Sequence, residues 1–177
     1  MKTPFTTLSS LILLGCAPLA IADSGRPAVK PGNSPAARVL EQMAGAWDEE
    51  VEMADGKKVT GTTVGRFVMD GNWLETESDI QINDKNRVLH LTLWGWDEKA
   101  ACFKTWMFSP AGEPLISTGV YDEKLKTFTT DGKTANGAKV HVVTNIVSAD
   151  RQEWNVTITG ADGKEVKFKG VNTRKKE

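Results

Sequence analysis

Nine turn signals divide residues 46–172 into ten short β-prone segments, and this rhythm constrains the fold more than any other feature of the chain. The first six are Asp55-Gly56, Asp70-Gly71-Asn72, Asn83 to Asn86, Asp97-Glu98-Lys99, Ser109 to Gly112 and Asp122-Glu123-Lys124. The last three are Asp131-Gly132 with Asn136-Gly137, then Ala149-Asp150, then Gly160 to Gly163. Asp-Gly and Asn-Gly tolerate positive φ, which matches the twist of the strands that a hairpin joins. The stretches between are rich in Val, Ile, Thr, Trp and Phe, most clearly Val140 to Val147 and Trp154 to Thr159. Short turns at regular spacing favour an up-and-down meander over a Greek key. No helical periodicity interrupts it after residue 45. The expected fold is therefore all-β: a roughly ten-stranded antiparallel up-and-down barrel with a short N-terminal capping helix.

The strands differ in how plainly they show an inside. Along 73–82, Trp73, Glu75, Glu77, Asp79 and Gln81 alternate with Leu74, Thr76, Ser78, Ile80 and Ile82. The second set is expected to point inward, and its mixture of small polar and aliphatic groups suits a lined cavity. Residues 88–96 and 102–108 are apolar at both parities, so their inner face is open from sequence. A sheet with one wet face alternates cleanly, so two apolar faces imply a sandwich core, a covered outer face or a contact between copies.

Residues 1–22 have the pattern of a secretion signal. Lys2 is the charged start, Leu8 to Ala17 the apolar middle and Ala20-Ile21-Ala22 the small-residue cleavage site. Cleavage would leave 155 residues from Asp23, enough for one domain with its own core. Leu13-Leu14-Gly15-Cys16 competes as a lipoprotein box, with Cys16 acylated, but Leu14 and the apolar Ala17 to Ile21 fit that box poorly. The expected location is thus periplasmic or extracellular, ahead of anchorage through Cys16. The apolar run is too short to span a membrane, so no transmembrane segment is expected after processing. The processed chain would carry 21 basic and 23 acidic side chains, a balance with no nucleic-acid footprint. Only Cys102 survives cleavage, so an internal disulfide is excluded and burial must carry stability.

Residues 23–33 are rich in Pro, Gly and Ser and read as a linker, with the domain running over 34–177. Ser34-Pro35 fits an N-cap followed by proline at the first helical position. The helix is expected over Ala36 to Ala44, with Val39, Leu40 and Met43 as its apolar stripe and Gly45 as its end. Gly45-Ala46-Trp47 then leads into the first strand. This resembles the Gly-x-Trp with which lipocalin and wider calycin barrels open. In those barrels the tryptophan closes the floor against a basic side chain near the last strand, a part the resemblance gives to Arg174. The order Gly45-Ala46-Trp47, Gly71-Asn72-Trp73-Leu74-Glu75, Gly95-Trp96-Asp97, Lys104-Thr105-Trp106 and Gly119-Val120-Tyr121-Asp122 is narrower. Over residues 36–172 the chain is similar to a bacterial family of exported lipocalin-like, calycin-type β-barrel domains of unknown function. The resemblance implies a fold and no activity.

Chemistry is sparse. No Ser-His-Asp order, Cys-x-x-Cys, phosphate loop, dinucleotide loop or His-Glu-x-x-His is present, so no catalytic residue is assigned. The two histidines, His90 and His141, lie mid-strand. Related ten-stranded barrels hold haem through a histidine near the last strand. Residues 164–172 contain none, so neither haem, another cofactor nor a metal is expected. Glu75, Glu77 and Asp79 share a strand face and could act as acid and base, but period-two acids more simply mark a wet outer face. Asp48, Glu49, Glu50 and Glu52 admit the same reading.

The leading expectation is an exported barrel that binds a small hydrophobic or amphipathic molecule without catalysis. Its candidate wall is Leu74, Ile80, His90, Trp94, Trp96, Trp106 and Trp154. The first alternative is a protein-binding or self-associating scaffold with a filled barrel, which includes a homo-oligomer, and the second is an envelope enzyme using strand carboxylates.

Overall fold

The computed structural model describes residues 29–110 and 112–176, so the signal-peptide reading of residues 1–22 lies outside the described residues. Ten antiparallel strands close into one barrel in which each strand pairs with its sequence neighbours and β10 pairs with β1. They are β1 (Gly45–Glu52), β2 (Lys58–Val68), β3 (Trp73–Asn83), β4 (Asn86–Asp97) and β5 (Cys102–Ser109), then β6 (Gly112–Asp122), β7 (Thr127–Lys133), β8 (Lys139–Ser148), β9 (Arg151–Thr159) and β10 (Glu165–Arg174). Closure leaves no sheet edge to be covered.

Eight of the nine turn signals lie where the chain reverses, and one shifts. Asp131-Gly132 belongs to β7, and the reversal is made further on by residues 134–138, with Gly137 at φ 86°. Gly132 is demanded by packing rather than by a turn. A Cβ there would lie 2.1 Å from Ser117 Oγ on the neighbouring strand.

Helix α1 spans Pro35–Glu41, shorter than the sequence suggests. Ser34 caps it, with Oγ accepting from Ala37 N at 3.0 Å, and Pro35 takes the first turn, where a missing N–H costs nothing. It stops before Gly45 because the barrel claims the carbonyls that follow. Gln152 Nε2 donates to Gln42 O at 3.0 Å, Trp47 Nε1 to Met43 O at 3.2 Å and Arg174 Nη1 to Ala44 O at 2.7 Å. A two-turn helix is marginal alone in water. Here tertiary contacts hold it, and they press its Ala36, Ala37 and Leu40 face onto Phe67, Leu74, Phe103 and Phe128. This cluster, with Trp94 and Tyr121 against it, is the hydrophobic core and the floor of the barrel.

Register fixes which side chains point inward, because residues directly opposite on paired strands share a face. From buried Trp47, the pairs Trp47–Thr63, Thr63–Ser78 and Ser78–His90 carry the inner face across β1 to β4. Charged side chains on these strands mostly turn outward. Arg66 pairs with Glu75 at 2.8 Å and with Glu77, and Arg87 pairs with Asp79 at 3.0 Å, forming an ion-pair ladder on the outside. The carboxylates suggested for an enzyme are therefore outward-facing and held by arginines, Glu75 even though it is buried, and the enzyme reading loses them.

Candidate functional site

Above the floor the inner wall changes character. A belt of polar side chains faces the lumen: Glu49, Thr63, Ser78, His90, Thr105, Ser117, Thr130 and Asn172. Toward the far end the wall becomes aliphatic, with Ile80 and Val88 paired across β3 and β4, Met107 and Leu115 across β5 and β6, and Val142 and Val156 across β8 and β9. These six are only partly buried although they point into the barrel. A packed barrel centre would bury them, so this wall borders accessible space.

Glu49 is the group that sequence reasoning missed. It sits in an acidic run, but its parity is that of Trp47 and Val51, both buried, and it is only 6% exposed. Thr63 Oγ1 donates to Glu49 Oε2 at 2.9 Å and lies 2.7 Å from Ser78 Oγ. Burial pushes the Glu49 carboxyl above the ordinary carboxylate range, and hydrogen bonds from Thr63 and Trp154 oppose that rise. The shared parity with Trp47 was the available signal.

His90 faces the lumen from β4, opposite Ser78. Burial lowers its pKa from the ordinary imidazole value, which favours the neutral ring. It has no hydrogen-bond partner among the described residues, yet no enclosed polar side-chain atom among them is left unsatisfied. Its nitrogens therefore look into accessible space. His141 is different. It lies outside and pairs with Asp131 at 2.7 Å.

The remaining expected wall residues separate into four places. Ile80 and Trp154 line the lumen, where Trp154 lies on Gly170 and its Nε1 donates to Asn172 Oδ1 at 3.0 Å. Leu74 and Trp94 belong to the floor, Leu74 fully buried and Trp94 donating from Nε1 to Thr76 Oγ1 at 3.2 Å. Trp96 lies next to the end of β4, at the rim beside that floor, 42% exposed and edge-on to Phe103. Trp106 is a correction: it faces outward, opposite Leu93 and Ile116, with its ring 5.3 Å from that of Trp73. Apolar residues of both parities on β5 concealed this. Trp73 and Trp106 border an outer depression of about 320 Å³, which the sheet separates from the lumen.

Among the described residues, no three His, Cys, Asp or Glu side chains converge as metal ligands, and no helix is long and apolar enough to cross a membrane. A closed ten-stranded barrel, plugged at one end and lined at the other, is a calycin-like architecture. Residues 33–175 match the family described as protein of unknown function DUF1579, and the chain belongs to that family. No curated protein matches the chain significantly. Among solved structures, the S-type phycobiliprotein lyase CPES from Guillardia theta is similar, with a TM-score of 0.57 and 13% identity over 82% of this chain and 95% of that one. The barrel EF1p2_mFAP2b, bound to DFHBI, gives a TM-score of 0.48 at 11% identity, covering 78% of this chain and 98% of its own. The redesigned barrel mFAP1, also bound to DFHBI, gives 0.45 at 16% identity, covering 80% and 100%. The first of these likenesses supports the barrel fold.

Proposed function

We propose that this protein is a container: it binds a small molecule with an apolar body and a polar head inside the barrel. The observation that carries this reading is the inward-facing His90, which has no hydrogen-bond partner among the described residues and stands between a closed aromatic floor and a partly exposed aliphatic wall. Buried polar groups are ordinarily matched, and one left facing accessible space is suited to a ligand or water. The aliphatic wall of Ile80, Val88, Met107, Leu115, Val142 and Val156 would take the apolar body. No reaction is assigned, because the outer carboxylates are ion-paired.

Native mass spectrometry of the protein purified gently from its own host tests this reading. A reproducible extra mass that is lost on denaturation is the expected result. A second test adds bulk: Val156→Trp should fill the lumen and abolish that mass. Empty wild-type protein, together with no binding of added amphiphiles, would defeat the reading.

The same proposal includes export, with residues 1–22 removed as a secretion signal. N-terminal sequencing of the processed protein should begin at Asp23, whereas an acylated Cys16 would mark a lipoprotein. A second reading, self-association through the outer face, is favoured by exposed Phe108 and Ile116 beside Trp106. Its check is the mass in solution, where a monomer at all concentrations would remove it.

A further inference from the structure

The lumen is asymmetric in charge. Among the described inward-facing residues, the groups that can ionise are Glu49 on β1, His90 on β4 and Tyr121 at the floor. No lysine is among them. Arg174 lies at the closed rim, where its guanidinium is turned onto Trp47 and donates to Ala44 O and Ala149 O. The strands flanking Glu49 present Thr63, Val59 and Phe67 from β2 and Asn172, Phe168 and Val166 from β10, none of them ionisable. Gln152 and Trp154 face in from β9.

The hydroxyls between Glu49 and the lumen have a direction. A hydroxyl has one proton to give. When Thr63 Oγ1 gives its proton to Glu49 Oε2, the proton in the 2.7 Å contact between Thr63 and Ser78 must come from Ser78. Ser78 Oγ is then left with lone pairs only, opposite His90, whose neutral ring carries one accepting nitrogen and one N–H donor. An ionised Glu49 thus gives this corner of the lumen two acceptors, Ser78 Oγ and one His90 nitrogen, against a single N–H donor, and backs them with a negative charge. A protonated Glu49 lets the chain reverse, and Ser78 becomes a donor.

We infer that the lumen selects an amphiphile with an amine head, seated between Ser78 and His90 and balanced in charge by Glu49 through the Thr63 hydroxyl. This rests on the container reading above and names its ligand class. An ammonium brings donors and no acceptor, which matches the acceptor pair. A carboxylate head would leave water to meet a second carboxylate and no lysine or arginine, a desolvation without compensation. The preference strengthens as pH rises. Raising pH ionises Glu49, whose carboxyl burial holds above its ordinary range, and removes any charge from His90, which burial already keeps neutral more readily.

Isothermal titration calorimetry with decylamine, decanol and decanoate, between pH 5 and pH 8.5, tests the inference. Decylamine should bind about tenfold more tightly than decanol at the high end, with decanoate weakest. That advantage should shrink as pH falls. Ser78→Ala, a small change that removes no buried charge, should lower the amine-to-alcohol ratio. Glu49→Gln, where it folds, should abolish the ratio's pH dependence. Decanoate binding as well as decylamine, or an amine advantage unaltered in Ser78→Ala, would overturn the amine inference while leaving the container in place. No binding of any of the three would overturn the container reading, and this inference with it.

Discussion

The guanidinium of Arg174 lies over the ring of Trp47, 4.1 Å from its centroid, and joins the last strand to the first. Nη1 also donates to Ala44 O at 2.7 Å and Nε to Ala149 O at 2.8 Å. One side chain therefore ties the helix exit, a turn and the barrel seam together. Gly45 makes room for it: at φ 108° its backbone is in a region that disfavours side chains, and a Cβ would lie 2.3 Å from Nη1. The Gly-x-Trp at the head of the barrel and the arginine at its end are one unit.

Arg174→Ala should destabilise the protein by about 2–3 kcal/mol, from a cation–π contact and two hydrogen bonds to carbonyls. Arg174→Lys should recover only part of this, since an ammonium cannot serve two diverging carbonyls while stacking on an indole. Urea unfolding monitored by tryptophan fluorescence measures both. Equal midpoints for Arg174→Lys and wild type would show that charge alone matters.

Inside and outside positions should separate by their cost. Leu74 is fully buried in the floor, so Leu74→Ala should cost about 3 kcal/mol through lost burial and the cavity left behind. Leu93, outward-facing and partly exposed, should cost about 1 kcal/mol or less when cut to Ala. Chemical denaturation of the two variants checks the assignment of faces, and similar losses would contradict it.

The number of strands was legible because turn residues and a period of two mark strand ends and strand existence directly. Which face is inside was legible only where the two faces differ in polarity, as on β3, where Glu75, Glu77 and Asp79 oppose Leu74 and Ile80. A lined barrel blurs that contrast, because its interior carries polar groups such as Thr105 and its exterior apolar ones such as Trp106. Glu49 was hidden for the same reason, standing among Asp48, Glu50 and Glu52, which are outward or rim groups. Asp131-Gly132 imitated a turn because glycine serves close strand approach as readily as positive φ. Register and closure, which no single segment encodes, resolve all three.

Gly170 is the second position where a missing side chain shapes the lumen. Trp154 lies flat on it, and a Cβ would approach Cζ2 to 2.3 Å. Gly170→Ala should displace the indole, break its bond to Asn172 and cost about 1–3 kcal/mol. A shift in the fluorescence of the folded protein should accompany the loss. Lost stability with an unchanged emission spectrum would place the strain elsewhere.

Glu49 and His90 should give stability opposite dependences on pH. His90 has its pKa lowered by burial, so the folded state binds fewer protons there than the unfolded chain. Its contribution is fully present above the ordinary imidazole value of 6.5 and is lost as pH falls through the lower, folded value. Glu49 has its pKa raised, so its contribution is present below the ordinary value of 4.5 and is lost as pH rises through the higher, folded value. Unfolding free energies measured across pH 4–8 should therefore change slope in His90→Phe, which removes the loss on acidification. Glu49→Gln should gain on wild type as pH rises, since the amide never has to ionise in the lumen. Parallel pH profiles for wild type and both variants would mean that neither group is buried in solution as it is in the folded barrel.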